Sequence, residues 1–319
     1  MSLRILIIVE NLPVPLDRRV WQEACALRDA GNAVTVICPQ MLGCTESFEE
    51  LDGISIYRHW IIGEARGMDG FVCEYASALW GEFKCAVKAW RRGGFDVIHL
   101  CNPPDLLFLV ALPFKIFAGV KVIYDVHDLW PEMFEAKFGR RGPLYWCVRL
   151  AERCSLWLAD AVMTTNQSVL AAVKRRGKKR DEDLFVVRTS PDRLNTLIPE
   201  DLSLKKGRKY LVGYIGVMGS ADGVNYLIEA AEHIVNTRRR DDVQFLLMGS
   251  GPEYDGLVRL RDAHELRPSV DMPGRVSNEF LFTALRTMDL GVACQTSPAP
   301  FRTPCIRASC SSCSGRCSH

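Results

Sequence analysis

Residues 4–39 have the sequence RILIIVENLPVPLDRRVWQEACALRDAGNAVTVICP and predict a strand, a helix and a second strand in succession. Residues 4–9 form an apolar run after the first arginine, which is typical of a buried strand. Asp17 is a suitable N-cap for a helix over residues 18–30. A second apolar run at residues 33–38 completes the unit. Two buried strands joined by a helix predict a right-handed βαβ unit, and therefore a parallel sheet covered on both faces.

The same alternation continues along the chain in two series. The first series has further predicted strands at residues 54–58, 96–100, 120–124, 161–164 and 184–187. The second has predicted strands at residues 210–215, 243–248, 270–272 and 289–293. We therefore predict an α/β protein with two domains that contain parallel sheets. The predicted divisions are a first domain at residues 1–190, a charged linker at 191–209, an incomplete second domain at 210–301 and an aberrant tail at 302–319.

The tail has the sequence RTPCIRASCSSCSGRCSH and lacks a periodic apolar pattern. We hypothesise that it follows a change of reading frame near Phe301. It would then contain no strand or helix, and apolar side chains of the second domain, such as those of residues 227–231, would stay uncovered. The competing hypothesis is a zinc or iron–sulfur site, because the four tail cysteines have the spacing C-x4-C-x2-C-x3-C. These cysteines are Cys305, Cys310, Cys313 and Cys317.

The composition excludes several classes of protein. The formal net charge of the 319-residue chain is only +2, which argues against nucleic acid as a partner. The longest uncharged apolar run, LLFLVALPF at residues 106–114, is too short to span a bilayer. The first residues lack the features of a signal peptide. Nine of the thirteen cysteines are scattered through apolar segments, which favours free thiols and a cytoplasmic location.

Ligands of open parallel sheets bind beyond the carboxyl ends of the strands, so the strand-to-helix turns are the candidate sites. The first turn is ENLPVPLDRR at residues 10–19. Its residues Asp17, Arg18 and Arg19 stand at a helix start, where an arginine pair could hold a phosphate or a polar acceptor. The alternative is a capped helix with solvated charges.

The second turn is DVHDLWPE at residues 125–132, in which His127 stands between Asp125 and Asp128 and Glu132 follows a proline. A histidine at a strand end can hydrogen-bond a sugar hydroxyl or stabilise developing charge. The density of polar groups after an apolar strand favours a functional role over a structural one.

Two turns of the second series could approach a nucleotide. The turn GVMGSADG at residues 216–223 contains Gly216 and Gly219, and glycine allows close approach of the backbone to a phosphate. A tight turn that needs positive φ is the alternative. Arg275, in PGRV at residues 273–276, could contact a base or a diphosphate, although a surface arginine is nearly as plausible.

The run KRRGKKR at residues 174–180 contains six cations. It could contact anionic lipid, as a protein peripheral to the inner membrane face would require. The alternative is a solvated helix end.

Several of these segments together resemble retaining glycosyltransferases of the family 4 type, which have the GT-B fold. The resemblance is carried by the segment beginning at residue 5, ILIIVENLPVPLDRRV, and by IYDVHDLWPE. In the second domain it is carried by YLVGYIGVMGSADGVNYLIEAAEHI, FLLMGSGPE and MPGRVSNEFLFTALRTMDLGVA. It implies two Rossmann-like domains, with a glycan or lipid-linked acceptor bound mainly to the first and a nucleotide-sugar donor bound mainly to the second.

The resemblance also assigns roles to the candidate residues. It implies transfer with retention of configuration and with no metal or other cofactor. His127 corresponds to the catalytic histidine near the donor sugar. Donor binding is implied for Gly216, Gly219 and Arg275. Acceptor binding is implied for Asp17, Arg18, Arg19, Asp128 and Glu132.

The sequence also departs from the family pattern. No Lys or Arg occurs between Tyr210 and Thr237, where many members carry an arginine and a lysine. No Asp or Glu follows Asp289, where the family has two glutamates eight positions apart. The predicted function is a glycosyltransferase of cell-surface polysaccharide biosynthesis. The alternative is an inactive, truncated remnant that binds acceptor or membrane only, and a sugar-nucleotide epimerase of the same fold fits less well.

Overall fold

The computed structural model describes residues 2–61, 67–138, 141–189, 198–220, 222–295 and 305–310. The chain divides into two compact units, Met1–Pro191 and Asp192–His319. Each contains one sheet and the helices that pack on it.

The first unit alternates strands with helices in the order expected for successive βαβ units. Its elements are β1 Arg4–Val9, α1 Arg18–Asp29, β2 Ala33–Pro39, β3 Phe48–Leu51, β4 Ile54–His59, α2 Gly67–Arg92, β5 Val97–Cys101, α3 Phe108–Ala118, β6 Lys121–Val126, α4 Trp130–Phe138, α5 Pro143–Leu158, β7 Ala161–Thr164, α6 Gln167–Gly177 and β8 Leu184–Val186. The sheet order is β3-β4-β2-β1-β5-β6-β7-β8, and every pairing is parallel except that of β3 with β4.

Successive side chains of the buried strands face opposite layers of helices. Ile5, Ile7 and Val9 of β1 pack in a cluster with residues of α1, whereas Leu6 and Ile8 pack in another with residues of α2, α3 and α5. Burial on both faces explains why these strands are continuous apolar runs in the sequence.

The sequence did not reveal two elements of the first unit. The strand β3 has the sequence FEEL, and its pairing with β4 is antiparallel at the edge of the sheet. The helix α4 begins at Trp130, within the segment expected to be a turn, because a proline is tolerated in the first turn of a helix. Asp105 starts a 3-10 helix, and its buried side chain accepts hydrogen bonds from elsewhere in the core.

The second unit has a smaller sheet with the order β11-β10-β9-β12-β13. Its elements are β9 Tyr210–Ile215, α7 Val224–Glu232, β10 Val243–Met248, α8 Tyr254–Ala263, β11 Val270–Gly274, α9 Asn278–Thr287, β12 Leu290–Gln295 and β13 Cys305–Cys310. The first four strands of this order are parallel, and β13 is antiparallel to β12.

Three expectations about the second unit differ from the structure. Residues 305–310 form a strand, although the tail was expected to contain none; Cys313 and Cys317 lie outside the described residues. Leu227, Ile228 and Ala231 are buried, so this part of α7 is covered. Residues 198–209 of the predicted linker contact the second unit, where Lys205 forms an ion pair with Asp289. The other linker residues, 191–197, are not described.

No helix in the described ranges is both long and apolar enough to cross a membrane.

Candidate functional site

The polar centre of the first unit is Asp125, which lies near the carboxyl end of β6 and is completely buried. Its Oδ2 lies 2.9 Å from Arg19 Nη2 and 2.8 Å from His127 Nε2. His99 Nε2 lies 3.5 Å from the same oxygen. A buried carboxylate needs such partners because an unpaired charge is costly in the protein interior. The structure therefore brings residues from α1, β5 and the turn after β6 to one carboxylate.

Arg19 is held inside the unit by several partners. Besides its bonds to Asp125, its guanidinium donates to the carbonyl oxygen of Val187 at 2.8 Å and to Thr189 Oγ1 at 3.1 Å. It also lies 3.1 Å from Glu23 Oε1, one helical turn along α1. The neighbouring Arg18 is exposed. The two predicted acceptor-binding arginines thus do not form a pair on one surface, because successive helix positions face different directions.

His127 is held through both its backbone and its side chain. Its backbone N–H donates to Asn102 Oδ1 at 2.7 Å. Its ring Nε2 lies 2.8 Å from Asp125 Oδ2 and 3.1 Å from Arg19 Nε, so this nitrogen contacts both members of the buried ion pair. The imidazole keeps 14% side-chain exposure, more than Arg19 or Asp125. A partly exposed imidazole oriented by a carboxylate is suited to contact a sugar hydroxyl or a developing charge.

The turn that carries His127 is fixed by a second buried network. Asn102, just past β5, accepts from the backbone of His127 and donates to Asp105 Oδ1 at 2.8 Å and to the carbonyl of Asp128 at 2.8 Å. Tyr124 Oη–H donates to the same Asp105 oxygen. Burial raises the pKa of Asp105 to about 7, although the bonds from Tyr124 and Asn102 act in the opposite direction.

The titratable groups around Asp125 have pKa values shifted in different directions. Burial alone would raise the pKa of Asp125, but the bonds from His127 and His99 outweigh it and the pKa is lowered. For His99, burial acts to lower the pKa, yet the bond and charge of Asp125 raise it overall. Burial raises the pKa of Glu23, against the attraction of His99. Asp125 therefore stays ionised at neutral pH.

The other predicted acceptor-binding residues lie apart from this centre or are engaged locally. Asp17 caps α1, with its Oδ1 accepting from the Val20 N–H at 3.1 Å. Asp128 is exposed next to His127. Glu132, in α4, forms an ion pair with Arg176, which also bonds Glu152 at 2.7 Å. Asp17 therefore caps a helix and Glu132 pairs with an arginine, so both carboxylates have structural partners within the first unit.

The candidate donor site of the second unit consists of three adjacent backbone turns. Met218 N–H donates to the Ser250 carbonyl at 3.0 Å, and Gly249 N–H donates to the Gly274 carbonyl at 2.9 Å. A Cβ at Gly249, whose φ is +145°, would lie 1.8 Å from the Gly216 carbonyl oxygen. Glycine is therefore required where the first two turns touch. The turns follow β9, β10 and β11, at the carboxyl edge of the parallel strands.

The amides of the predicted donor-binding glycines are already used. Gly216 N–H donates to the Met248 carbonyl at 3.1 Å, and Gly219 N–H donates to Asp222 Oδ2 at 2.9 Å. These glycines therefore provide space for close packing, and not their own N–H groups. Asp222 was not recognised as a candidate residue. The signal that could have identified it is an acid in the turn where the resemblance leads one to expect basic residues.

Arg275 stands beyond the turn at Gly274 and is exposed. Within the described ranges it has no ion pair or side-chain hydrogen bond. Its guanidinium is thus available at the edge where the three turns meet. The predicted site residues of the second unit, Gly216, Gly219 and Arg275, lie on the same edge of one sheet.

Two groups of side chains have the composition of a metal site. In the first, Glu23, His99, Cys101 and Asp125 place ligand atoms within 4.8 Å of one another. Arg19 already supplies the cationic partner of that group. The second consists of Glu10, His59 and Glu82, with the same spacing limit and no arginine partner among the described residues. Sequence reasoning missed both groups, because their members come from separate elements.

Three of the six cations of the basic run form ion pairs within the first unit. Lys174 pairs with Asp181 at 2.6 Å, and Arg180 pairs with Asp183 at 2.9 Å. Arg176 pairs with Glu132 and Glu152, and Lys179 donates to the Ala159 carbonyl. These partners reduce the net positive charge that the run presents to a membrane.

Comparison with known families decides the class of the chain. The family model described as "Glycosyl transferase 4-like domain" matches residues 16–188, which is more than half of the chain. The chain belongs to this glycosyltransferase family. A second model, "Glycosyl transferases group 1", matches residues 209–312 of this glycosyltransferase chain. The family resemblance predicted from the sequence is thus confirmed.

A curated relative matches a short segment of the glycosyltransferase chain. Alpha-D-kanosaminyltransferase from Streptomyces kanamyceticus is 41% identical over 71 residues. The segment is 22% of this chain and 18% of that enzyme, so the match covers much less than two thirds of the relative.

Solved structures confirm the predicted GT-B class of fold. Sucrose-phosphate synthase from Thermosynechococcus elongatus has a TM-score of 0.70 at 16% identity, over 90% of this chain and 74% of that one. WaaG, a glycosyltransferase involved in lipopolysaccharide biosynthesis, has a TM-score of 0.65 at 14% identity, over 91% and 75%. HepE from Anabaena, in complex with UDP and glucose, has a TM-score of 0.62 at 18% identity, over 94% and 76%.

Proposed function

We propose that this chain transfers a sugar from a nucleotide-diphosphate sugar to a glycan or lipid-linked acceptor, with retention, in cell-surface polysaccharide biosynthesis. The observation that carries the proposal is the placement of His127 in a chain of this family. Its imidazole is oriented by Asp125 at the carboxyl end of β6 and is more exposed than Arg19, His99 or Asp125. Such a group can contact the sugar as charge develops in the transition state.

The second unit supports a role in donor binding. Three turns meet at its carboxyl edge, and Arg275 is a cation on that edge. A diphosphate leaving group needs positive charge, which helix N-termini and arginine can supply without a metal ion. The solved relative HepE contains UDP and glucose, so UDP-glucose is the first donor to test.

Calorimetry with UDP- and GDP-sugars tests the proposal on the full chain. We expect micromolar binding of one nucleotide class. An acceptor screen with that donor follows, and NMR of the product reports the anomeric configuration. Product with inverted configuration would contradict retention.

The variant His127→Ala tests the role of the imidazole. We expect kcat/KM to fall by about 10²–10³-fold, the usual effect of removing one group that stabilises developing charge. The donor Kd should change by less than about threefold. His127 is expected to act on the transition state and to contribute little to binding of the donor in the ground state. His233→Ala, an exposed histidine of the second unit, is the matched control and should leave both constants unchanged.

A second candidate function is binding of an acceptor without turnover. It is favoured by the carboxylate of Asp222 in the donor turn and by the lack of any Asp or Glu after Asp289 in the sequence. Acceptor binding without any measurable affinity for UDP- or GDP-sugars would establish this alternative over transfer.

We also propose that the first unit makes peripheral contact with an anionic membrane. Helix α5 exposes Trp146, Leu150 and Trp157 at a spacing that places them on one side of the helix. Exposed tryptophans beside arginines, here Arg149 and Arg153, suit a lipid headgroup region. Co-sedimentation with phosphatidylserine vesicles should be lost in Trp157→Ser, and equal binding by the variant would refute this contact.

A further inference from the structure

A buried group of one imidazole and two carboxylates lies outside the cluster around Asp125. It consists of Glu10, directly after β1, His59, at the end of β4, and Glu82, on α2. One ligand atom from each lies within 4.8 Å of the other two. The strands β1, β2 and β4 are parallel, so Glu10 and His59 meet at the carboxyl edge of the sheet, and α2 covers them.

Four polar atoms of this group lack a hydrogen-bond partner among the described residues. Both carboxylate oxygens of Glu82 are buried and unpartnered, and the residue has 0% exposure. Glu10 Oε2 and His59 Nε2 are also unpartnered, although they lie only 3.1 Å apart. No Lys or Arg forms an ion pair with Glu10 or Glu82 within the described ranges. A buried polar group without a partner is costly, so a cation that bonds all three residues would stabilise this group.

The orientation of His59 suits a metal ligand. Its Nδ1 lies 3.4 Å from the Trp60 carbonyl oxygen. A proton on Nδ1 can be donated only to that carbonyl, and the lone pair of Nε2 then faces the Glu10 carboxylate. Two lone pairs facing each other repel unless a cation lies between them. Metal-bound histidines commonly donate their second ring N–H to a backbone carbonyl in this way.

The spacing of the Glu10 and His59 ligand atoms agrees with coordination. Donor atoms about 2.1 Å from one metal are separated by about 3.0–3.4 Å in tetrahedral or octahedral geometry. The 3.1 Å between Glu10 Oε2 and His59 Nε2 falls in that range. The side chain of Glu10 is 10% exposed and those around it less, so solvent reaches the group on the Glu10 side.

We propose that Glu10, His59 and Glu82 bind one divalent first-row transition metal ion. The ion joins the turn after β1 to β4 and α2. Carboxylate and imidazole ligands favour Mn²⁺ or Zn²⁺ over the softer ions that prefer thiolates. The site is separate from the proposed sugar transfer, for which no metal is invoked.

The test is binding of Mn²⁺ alone to the full chain after chelator treatment. Binding is measured as the loss of the EPR signal of free Mn²⁺. Mn²⁺ is chosen because it binds thiolates poorly, so the cysteines do not compete. We expect wild type to bind one more Mn²⁺ than Glu82→Gln, or to bind it about tenfold or more tightly. Glu74→Gln, on the same helix and outside the group, should bind as wild type does.

A second variant keeps the test decisive if Glu82→Gln fails to fold. His59→Gln removes the imidazole and should show the same loss, whereas a rise in Tm with Mn²⁺ should occur only in wild type and Glu74→Gln. Equal Mn²⁺ binding by wild type, Glu82→Gln and His59→Gln would overturn the proposal. The proposal would also be overturned if wild type bound no Mn²⁺ and Glu82→Gln were as stable as wild type. That result would show that the carboxyl groups of Glu10 and Glu82 share protons instead.

Discussion

Arg19 and Arg18 show how different the environments of neighbouring residues can be. Both were expected at the acceptor side of the helix start, on the strength of local sequence. The position of Arg19 is decided by Asp125, which lies 106 residues further along the chain. Sequence pattern identified the polar residues, but it could not show which of them turn inward, because that depends on a partner from another strand.

We predict that Arg19→Met strongly destabilises the first unit. Removing the guanidinium leaves the buried carboxylate of Asp125 without its strongest cationic partner, at a cost of about 3–5 kcal/mol. Arg188→Met, at an exposed position of the same unit, is the matched control and should change stability by less than about 0.5 kcal/mol.

Urea unfolding followed by tryptophan fluorescence measures this effect cleanly. All seven tryptophans lie between Trp21 and Trp157, so the signal reports only the first unit. Equal urea midpoints for the two methionine variants would show that the Arg19–Asp125 pair does not stabilise the fold.

At the scale of elements, strand positions follow from the sequence more reliably than the geometry of turns. The strands at residues 161–164, 210–215 and 243–248 have the predicted bounds, because a strand buried on both faces is a continuous apolar run. The polar edge strand Phe48–Leu51 carries no such signal. Helix α4 was missed because the whole segment at residues 125–132 was assigned to a turn, although its proline fits the first helical turn.

The turn after β9 contains a charge that opposes its proposed role. Asp222 accepts the Gly219 N–H at 2.9 Å, in a turn where the resemblance implies approach of a diphosphate. We predict that Asp222→Asn binds the donor more tightly by about two- to fivefold. The substitution removes the repulsion between the carboxylate and the diphosphate, which after partial screening is worth roughly 0.5–1 kcal/mol. The amide oxygen of Asn can still accept the Gly219 N–H.

Calorimetry at low and high salt tests this prediction. The gain should shrink as salt screens the charge. Glu229→Gln, on the exposed face of the following helix, should show no gain. An unchanged donor Kd for Asp222→Asn at low salt would place the diphosphate away from this turn.

At the scale of the whole molecule, the sequence predicted the class of fold and the family but not the buried networks. His127 and Asp125 are two residues apart and were recognised together. His99, Asn102 and Asp105 come from β5 and the turn after it, and only the pairing of β5 with β6 brings them beside that motif. A histidine within an otherwise apolar strand was the available signal for His99, and it was not used.

Asp105 gives the first unit a predictable dependence on pH. Its pKa in the folded chain is about 7, against an ordinary value of 3.8, because burial disfavours its charge. Between these values the unfolded chain loses the proton while the folded chain retains it, so stability falls as pH rises from about 4 to about 7 and is level above that. The full effect is on the order of 4 kcal/mol. Asp125 acts oppositely and in a separate window, because its lowered pKa removes stability only as pH falls below about 4.

The variant Asp105→Asn should remove this dependence, because asparagine resembles the protonated acid and can accept the Tyr124 hydroxyl proton. Stability from urea unfolding at pH 5 and pH 8, followed by tryptophan fluorescence, gives the comparison. The difference between Asp105→Asn and wild type should move in favour of the variant by a few kcal/mol from pH 5 to pH 8. The exposed Asp128→Asn should parallel wild type at both values. Parallel curves for Asp105→Asn as well would mean that Asp105 is ionised in the folded chain, and that the Asn102 and Tyr124 bonds prevail over burial.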